Sequence, residues 1–503
     1  MQIAPDESGA PERLVIILGA GPAGLATGHG LSKEGVRVVV LERNAHVGGL
    51  CVTVEREDFR FDLGGHRWFT KNADLDAWFH RLMAGELVAV NRISRIYHQG
   101  RLFDYPISFG NVMSNAHAVT VVHAGASYLW EQLRRVVLNP PVRNMHDAYR
   151  RQFGQKLYEM FFEQYSEKVW GAPCDQLSAD WVTQRSKGLS ILSVVANALF
   201  QSKEKKAKSL IEEFFYPRFG YMRIAERMAE DIQAHGGEIR LAATVTGVVA
   251  HGPNEFEVRY TQDGKQHSLR ADDVVSTIPL GLLTQMIAPK APDAVIEAAR
   301  RMRFRDIITV NLMLNRSQVT SDTWVYVQDR SILFGRLHEP KNWSPDMVPD
   351  ASRTSLVLEC FCTVGDTIWS LSDEGIIARC VDDLVDKLGF ISRSDVAGAF
   401  ATRARHAYPA YDLDYKQNID TVNAYLRGFP GLEIVGRGGA FRYNNADHSI
   451  EMGLILAQKL LGMHVDHTDV NIDPEYHEIV STKPVRRHAI RQGSEAELET
   501  LSS

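Results

Sequence analysis

The chain has 503 residues, 45% of them apolar and 23% charged, the balance of a folded protein with two or three interwoven domains. Its formal net charge is −6 with acids and bases mixed along the chain, which argues against a general nucleic-acid binder. No apolar stretch is long enough to span a bilayer, and residues 1–12 are polar, with no signal-peptide core.

The first element is Leu14–Leu18 (LVIIL), a continuous apolar run of buried-strand length. A tight turn over 19–24 leads into a predicted helix over 25–33, stopped by Gly35. Residues 36–41 (VRVVVL) give a second buried strand ending on Glu42, which completes a β-α-β unit. From 74 to 211 the pattern is mostly helical, with long segments at 118–138 and 145–169. Strand signals return at 238–251, 255–260 and 273–278, then at 307–314, 324–327, 332–336 and 355–362. A helix over 374–388 follows. The chain then gives a strand at 432–437, a glycine-rich turn and a helix over 449–461.

This order predicts an α/β fold whose Rossmann-type parallel sheet is assembled from discontinuous segments. Residues 13–73, 220–290 and 430–465 form the nucleotide domain. Inserted between them are a mainly helical domain (74–219) and a mixed, antiparallel-sheet domain (291–429), both facing substrate. Residues 1–12 and 466–503 read as loose ends.

Gly19, Gly21 and Gly24 form G-x-G-x-x-G between strand and helix. Gly19 permits the turn, Gly21 lets a pyrophosphate approach the backbone, and Gly24 lets helix and strand pack closely. The helix N-terminus offers unpaired N–H groups to the phosphates. Glu42 suits a ribose 2′-hydroxyl and would repel a 2′-phosphate. In this register the motif predicts a dinucleotide site.

Five cysteines (Cys51, Cys174, Cys360, Cys362 and Cys380) are odd in number and lack a CxxC spacing. They read as thiols in a reducing compartment and place the protein in the cytoplasm. The histidines show no ligand spacing, so no metal is expected. Basic stretches at 203–208 (KEKKAK) and 486–491 (RRHAIR) read as solvated segments.

Beyond Glu42-Arg43 the chain continues ERNAHVGG, with a glycine pair ending on Gly49. This resembles the two-dinucleotide-binding flavoproteins of the amine oxidase and glutathione reductase group, and the resemblance implies FAD. Val245 (AATVTGV) stands where such proteins pass a strand against the adenine. Gly436-Arg437-Gly438-Gly439, leading to Asp447 and Met452, is similar to their closing unit, whose helix N-terminus faces the flavin.

From Leu14 to about Leu461 the chain resembles the UDP-galactopyranose mutases. Gly64-Gly65-His66 is similar to the family's segment against the isoalloxazine ring, and Lys168–Pro173 (KVWGAP), with Trp170, to its KVW-x-x-P stretch. Arg185 (WVTQR) and Arg336 (LFGR) match the arginines that hold the substrate diphosphate. Tyr326 stands ten residues before Arg336, and Tyr408 and Tyr443 match the remaining tyrosine segments. Tyr105 resembles the start of the uracil-holding segment. Ser108 and Ser166, however, stand where the family carries an amide and an asparagine.

The resemblance implies a nucleoside diphosphate sugar as substrate, with His66, Arg185 and Arg336 as the principal active-site residues. It also implies a pyranose–furanose mutation in which N5 of reduced FAD is the nucleophile and no net redox change occurs. An arginine fork would neutralise the leaving diphosphate, and NAD(P)H could reduce the flavin from the substrate cleft. The two serines leave base and sugar open, and the oligomeric state is open too. An FAD-dependent oxidoreductase of the amine oxidase, desaturase or protoporphyrinogen oxidase type is the alternative on the same fold. A flavin-free binding protein of the GDP-dissociation-inhibitor kind is a third.

Overall fold

The computed structural model describes residues 13–105, 118–182 and 213–471. Ser108, Arg185, both basic stretches, residues 1–12 and residues 472–503 lie outside the described residues, while 466–471, expected to be loose, hold the short turn His467–Asp469 with His467 and Val470 buried.

A five-stranded parallel sheet forms the nucleotide domain, in the spatial order Leu432–Ile434, Asp273–Ser276, Leu14–Leu18, Arg37–Leu41, Glu238–Arg240. The central strand is apolar throughout because both faces are covered, and side chains alternate between them. Val15 and Ile17 join a core with the helices Pro22–Ser32, Arg223–Ala234 and Ala446–Leu460. Ile16 and Leu18 join a second core with the strands Thr244–Gly252 and Glu255–Gln262 and the helices Asp293–Arg301 and Tyr415–Leu426. The helices Pro22–Ser32 and Ala446–Leu460 nearly touch. A Cβ on Gly453 would lie 2.4 Å from the Ala23 carbonyl oxygen, and one on Gly30 would lie 2.7 Å from Ala457 Cβ.

A seven-stranded sheet forms the second layer, in the order Val396–Pro409, Phe304–Leu314, Thr354–Cys362, Arg336–His338, Trp324–Val327, Ser94–His98, Arg101–Asp104. Ile308, Val310, Leu356, Leu358 and Cys360 pack on one face against Ile376, Cys380 and Leu384. The opposite face carries Arg336 and Glu359 toward the nucleotide domain. All five cysteines are buried free thiols.

Two expectations need correction. Helices predominate among the described residues of 74–219, but Leu87–Asn91, Ser94–His98, Arg101–Asp104 and Glu213–Pro217 are strands that the helical reading passed over. Two of them extend the seven-stranded sheet, so the two inserted segments share one body. Their alternation was masked by short length and mixed polarity, and sheet pairing decided the outcome. The predicted helix over 145–169 breaks at Gly154, whose φ of +78° only glycine adopts freely. A Cβ there would sit 2.8 Å from Tyr128 Cα. Beyond it lie Gln155–Tyr158, a wide turn Glu159–Glu163, and Gln164–Trp170.

Candidate active site

The glycines of the first turn divide by function. A Cβ on Gly24 would meet the Gly19 carbonyl oxygen at 2.2 Å, and one on Gly19 (φ +107°) would meet Thr277 Oγ1 at 2.2 Å. Packing of the protein alone therefore demands both. Gly21 instead faces space with no atom within 4 Å, which leaves the backbone open to a ligand. The helix Pro22–Ser32 begins there without a side-chain cap, so its first N–H groups remain available to a phosphate. Glu42 is buried at the end of the neighbouring strand, and its carboxylate accepts N–H bonds from Ala20 and Asn44 at 2.9 Å each. Each oxygen keeps a further lone pair for a ribose hydroxyl. These residues fit an adenine dinucleotide such as FAD.

The other residues expected at the cofactor occupy differing situations. Gly49 packs beside Gly21, with an added Cβ 3.2 Å from its Cα. Arg43 is exposed, while Val245 and Met452 are buried core residues. Met452 Sδ lies 2.9 Å from Asn444 Nδ2. Gly436 (φ +83°) lets the closing turn reach Ala23, where a Cβ would stand 2.8 Å from Ala23 Cβ. Arg437 donates to the Asn444 carbonyl at 2.6 Å and the Ala407 carbonyl at 3.1 Å. Its guanidinium lies 5.4 Å from the Tyr408 ring and 5.3 Å from the Tyr443 ring. Arg437 thus braces an aromatic wall. Asp447 is buried in the first turn of Ala446–Leu460. Burial raises its pKa to about 7, against backbone N–H bonds and the charges of Arg67 and Arg437.

The described residues among those expected to face substrate converge on the polar face of the seven-stranded sheet. Tyr326 and Arg336 are register partners across adjacent antiparallel strands, which explains their spacing in the sequence. Arg336 in turn faces Glu359 on the next strand. Arg336 Nε donates to Glu359 Oε1 at 2.7 Å, Nη2 donates to Glu359 Oε2, and Nη2 also reaches the Tyr408 hydroxyl at 3.4 Å. Glu359 Oε1 accepts the Gly65 N–H at 3.2 Å, so the arginine–acid pair is tied to the 64–66 turn. His66 stacks on Tyr221 with centroids 5.2 Å apart. Burial, then the positive charges of Arg437 and Arg336, lower its pKa to about 4 against the pull of Glu359, so the imidazole is neutral near pH 7.

Phenol rings complete the site. Tyr326 lies 5.2 Å from Tyr105 and 5.5 Å from Tyr165, centroid to centroid. Tyr443 stacks on Tyr408 at 5.7 Å and meets Trp170 at 6.0 Å. Burial pushes the Tyr165 hydroxyl well above its usual range and that of Tyr408 to about 12, so both remain donors. Ser166 is buried beside Tyr165 on the same helical stretch.

Sequence reasoning missed several supports. Glu359 is the lone acid in the otherwise apolar strand Thr354–Cys362, and an acid in such a run is itself the signal of a cationic partner. Tyr165 gave no sign. Lys168, known only as part of KVWGAP, reaches the carbonyls of Val327 (3.1 Å), Asp329 (2.7 Å) and Phe334 (3.2 Å). It closes the loop that joins Tyr326 to Arg336. Asp62 accepts hydroxyl bonds from Thr53 and Tyr216, both 2.6 Å, and the Tyr221 N–H at 3.1 Å. This network fixes the chain just before Gly64. Among the described residues no cluster of three metal-binding side chains occurs.

Residues 22–406 match the family model described as flavin containing amine oxidoreductase. The chain is 21% identical over 468 residues to Protoporphyrinogen oxidase 1, chloroplastic, of Spinacia oleracea, covering 84% of this chain and 79% of that protein. It is 23% identical over 222 residues to the Probable UDP-galactopyranose mutase of Klebsiella pneumoniae, covering 43% of this chain and 53% of that one. Among solved structures, reduced UDP-galactopyranose mutase superposes with a TM-score of 0.78 at 20% identity, over 92% of this chain and 98% of that chain. At that identity the likeness shows the shared fold.

Proposed function

The chain belongs to the flavin-containing amine oxidoreductase family, and on that premise we propose that it is an FAD-dependent mutase interconverting pyranose and furanose forms of a nucleoside diphosphate sugar, without net redox change. The observation that carries this reading is Arg336, set among Tyr165, Tyr326 and Tyr408 and tied through Glu359 to the turn that bears His66. A hydrophobic amine or polyene gains little from a half-buried guanidinium ringed by phenols. A diphosphate gains a charge-assisted fork and neutral donors of low conformational entropy.

When bound and reduced, FAD supplies a nucleophilic nitrogen, for which NAD(P)H is the proposed source of electrons. The chain's own residues bind and orient. Arg336 holds the leaving diphosphate and stabilises its developing charge, and Arg185 is assigned the same task. Tyr105 is assigned to the base, Ser166 to the sugar and Trp170 to the wall of the cleft. Neutral His66 stands as a hydrogen-bonding neighbour of the ring system. Asp447, at a helix N-terminus with a pKa near neutrality, is placed to hold or release a proton there.

One observation favours the oxidoreductase reading instead. Glu359 already neutralises Arg336, so that arginine is less free for an anion than a solvated one. Calorimetric titration with UDP, dTDP and GDP decides between them. The mutase reading expects binding of one of these that Arg336→Ala weakens by at least tenfold, and the oxidoreductase reading expects none.

A further inference from the structure

The helix Ala118–Leu138 is turned the wrong way for a surface helix. Its packed side carries Ala124, Tyr128 and Glu131. The opposite side carries Val119, Val122, Leu129, Trp130, Leu133, Val136 and Val137, at helical spacing. Val119 is 81% exposed, Leu129 67%, Trp130 65% and Val136 82%. Apolar side chains normally face inward, so this stripe is made to be covered. The helix is also firmly seated. Glu131, 5% exposed, binds Arg134 at 3.2 Å and Arg150 at 2.9 Å, and Gly154 admits the backbone at Tyr128.

Where the stripe ends at Val137 and Leu138, the chain turns through 139–144 into the helix Met145–Phe153. Here Arg134, Arg135, Arg143, Arg150 and Arg151 line a hollow of about 180 Å³ whose only acids are Glu131 and Asp147. Five cations therefore face two anions. Both acids are engaged locally, Glu131 with the two arginines above and Asp147 with the Arg143 N–H at 3.2 Å.

We propose that this helix lies in the surface of an anionic lipid bilayer, its Val119–Val137 face among the acyl chains and its arginine cluster on the lipid phosphates. Three features select a membrane over a second copy of the chain. The helix is about 31 Å long, and a stripe about 10 Å wide offers about 300 Å², well short of the about 800 Å² per side of a stable interface. Five arginines against two locally engaged acids leave a positive hollow at the end of the stripe, which lipid phosphates match. A tryptophan within the apolar face and arginines at its end also match an interfacial helix. No helix among the described residues is long and apolar enough to cross a membrane, so the contact is peripheral. The proposal is independent of which reaction the flavin site performs.

Sedimentation of the holoenzyme with vesicles tests it. Binding to phosphatidylcholine vesicles containing phosphatidylglycerol, weak binding to phosphatidylcholine alone, and release by salt are expected. Leu133→Asp with Val137→Asp should abolish binding while flavin content is unchanged. Arg135→Gln with Arg143→Gln should lower partitioning roughly 30-fold. No binding by the wild-type protein, or binding that survives both pairs of substitutions, overturns the proposal. So does a dimer in the ultracentrifuge that the aspartates dissociate while vesicles are not bound; the face would then belong to a second copy.

Discussion

Arg336 Nε lies 2.7 Å from Glu359 Oε1, and the two residues are also register partners on neighbouring strands, so the pair is fixed by the sheet before any ligand arrives. Glu359 is fully buried while the Arg336 side chain is 21% exposed. The acid therefore depends on the arginine more than the reverse. Glu359→Gln keeps an acceptor for the Gly65 N–H but frees a positive charge. Diphosphate affinity should rise by about an order of magnitude while stability falls by about 2–4 kcal/mol, measured by calorimetry and urea unfolding. Unchanged affinity with the same loss of stability would reduce the pair to a structural role.

The first-turn glycines separate cofactor binding from folding. Gly21→Val places its side chain in open space and should leave the unfolding midpoint of the flavin-free protein nearly unchanged while abolishing flavin retention. Gly24→Ala must displace the Gly19 carbonyl, 2.2 Å from the new Cβ, and should destabilise the flavin-free protein itself by about 1–3 kcal/mol. Absorbance of the purified variants and urea titrations read the two effects independently.

Asp447 makes stability depend on pH in a defined direction. Its folded pKa, raised by burial to about 7 from 3.8, means that the folded state holds the proton more tightly than the unfolded one. The stabilisation is complete below about pH 4 and is lost as pH rises toward 7. His66, lowered to about 4, acts oppositely and costs stability as pH falls from 6.5. The difference between wild-type protein and Asp447→Asn isolates the carboxyl. That difference should shift toward the variant with rising pH by at most ~1.4 kcal/mol per unit between pH 4 and 7, and a flat difference would contradict the assignment.

Lys168 supports the loop between Tyr326 and Arg336. Burial lowers its pKa to about 8, and its ammonium joins three carbonyls of the loop between Tyr326 and Arg336. Lys168→Met should cost about 1.5–3 kcal/mol of stability and lower kcat/KM through both terms. Lys168→Arg would recover stability only in part, because a planar fork cannot cap three converging carbonyls. Unaltered kinetics in the methionine variant would remove Lys168 from the positioning of the site.

The nucleotide unit was legible because its signal is local. Strand, glycines, helix, strand and acid fall within 14–42, and each glycine has a steric reason the structure bears out at Gly19 and Gly24. Tyr326 and Arg336 were legible as a spacing, and the hairpin register supplies its cause. Glu359 and Tyr165 were not, because their meaning arises only when strands far apart in the chain lie side by side. The strands at 87–104 were lost for the same reason. The packing of Arg437 against Tyr408 and Tyr443 was not legible either, since it depends on how the closing turn meets the second sheet.

The most direct test of the mutase reading is product analysis under anaerobic conditions. The protein, its flavin reduced with dithionite, is incubated with UDP-, dTDP- and GDP-hexoses. The account predicts a furanose isomer from one donor, dependent on reduced flavin and lost in Arg336→Ala. No isomer from any donor, together with reduction of the oxidised flavin by an amine or polyene substrate, would contradict it and establish an oxidoreductase.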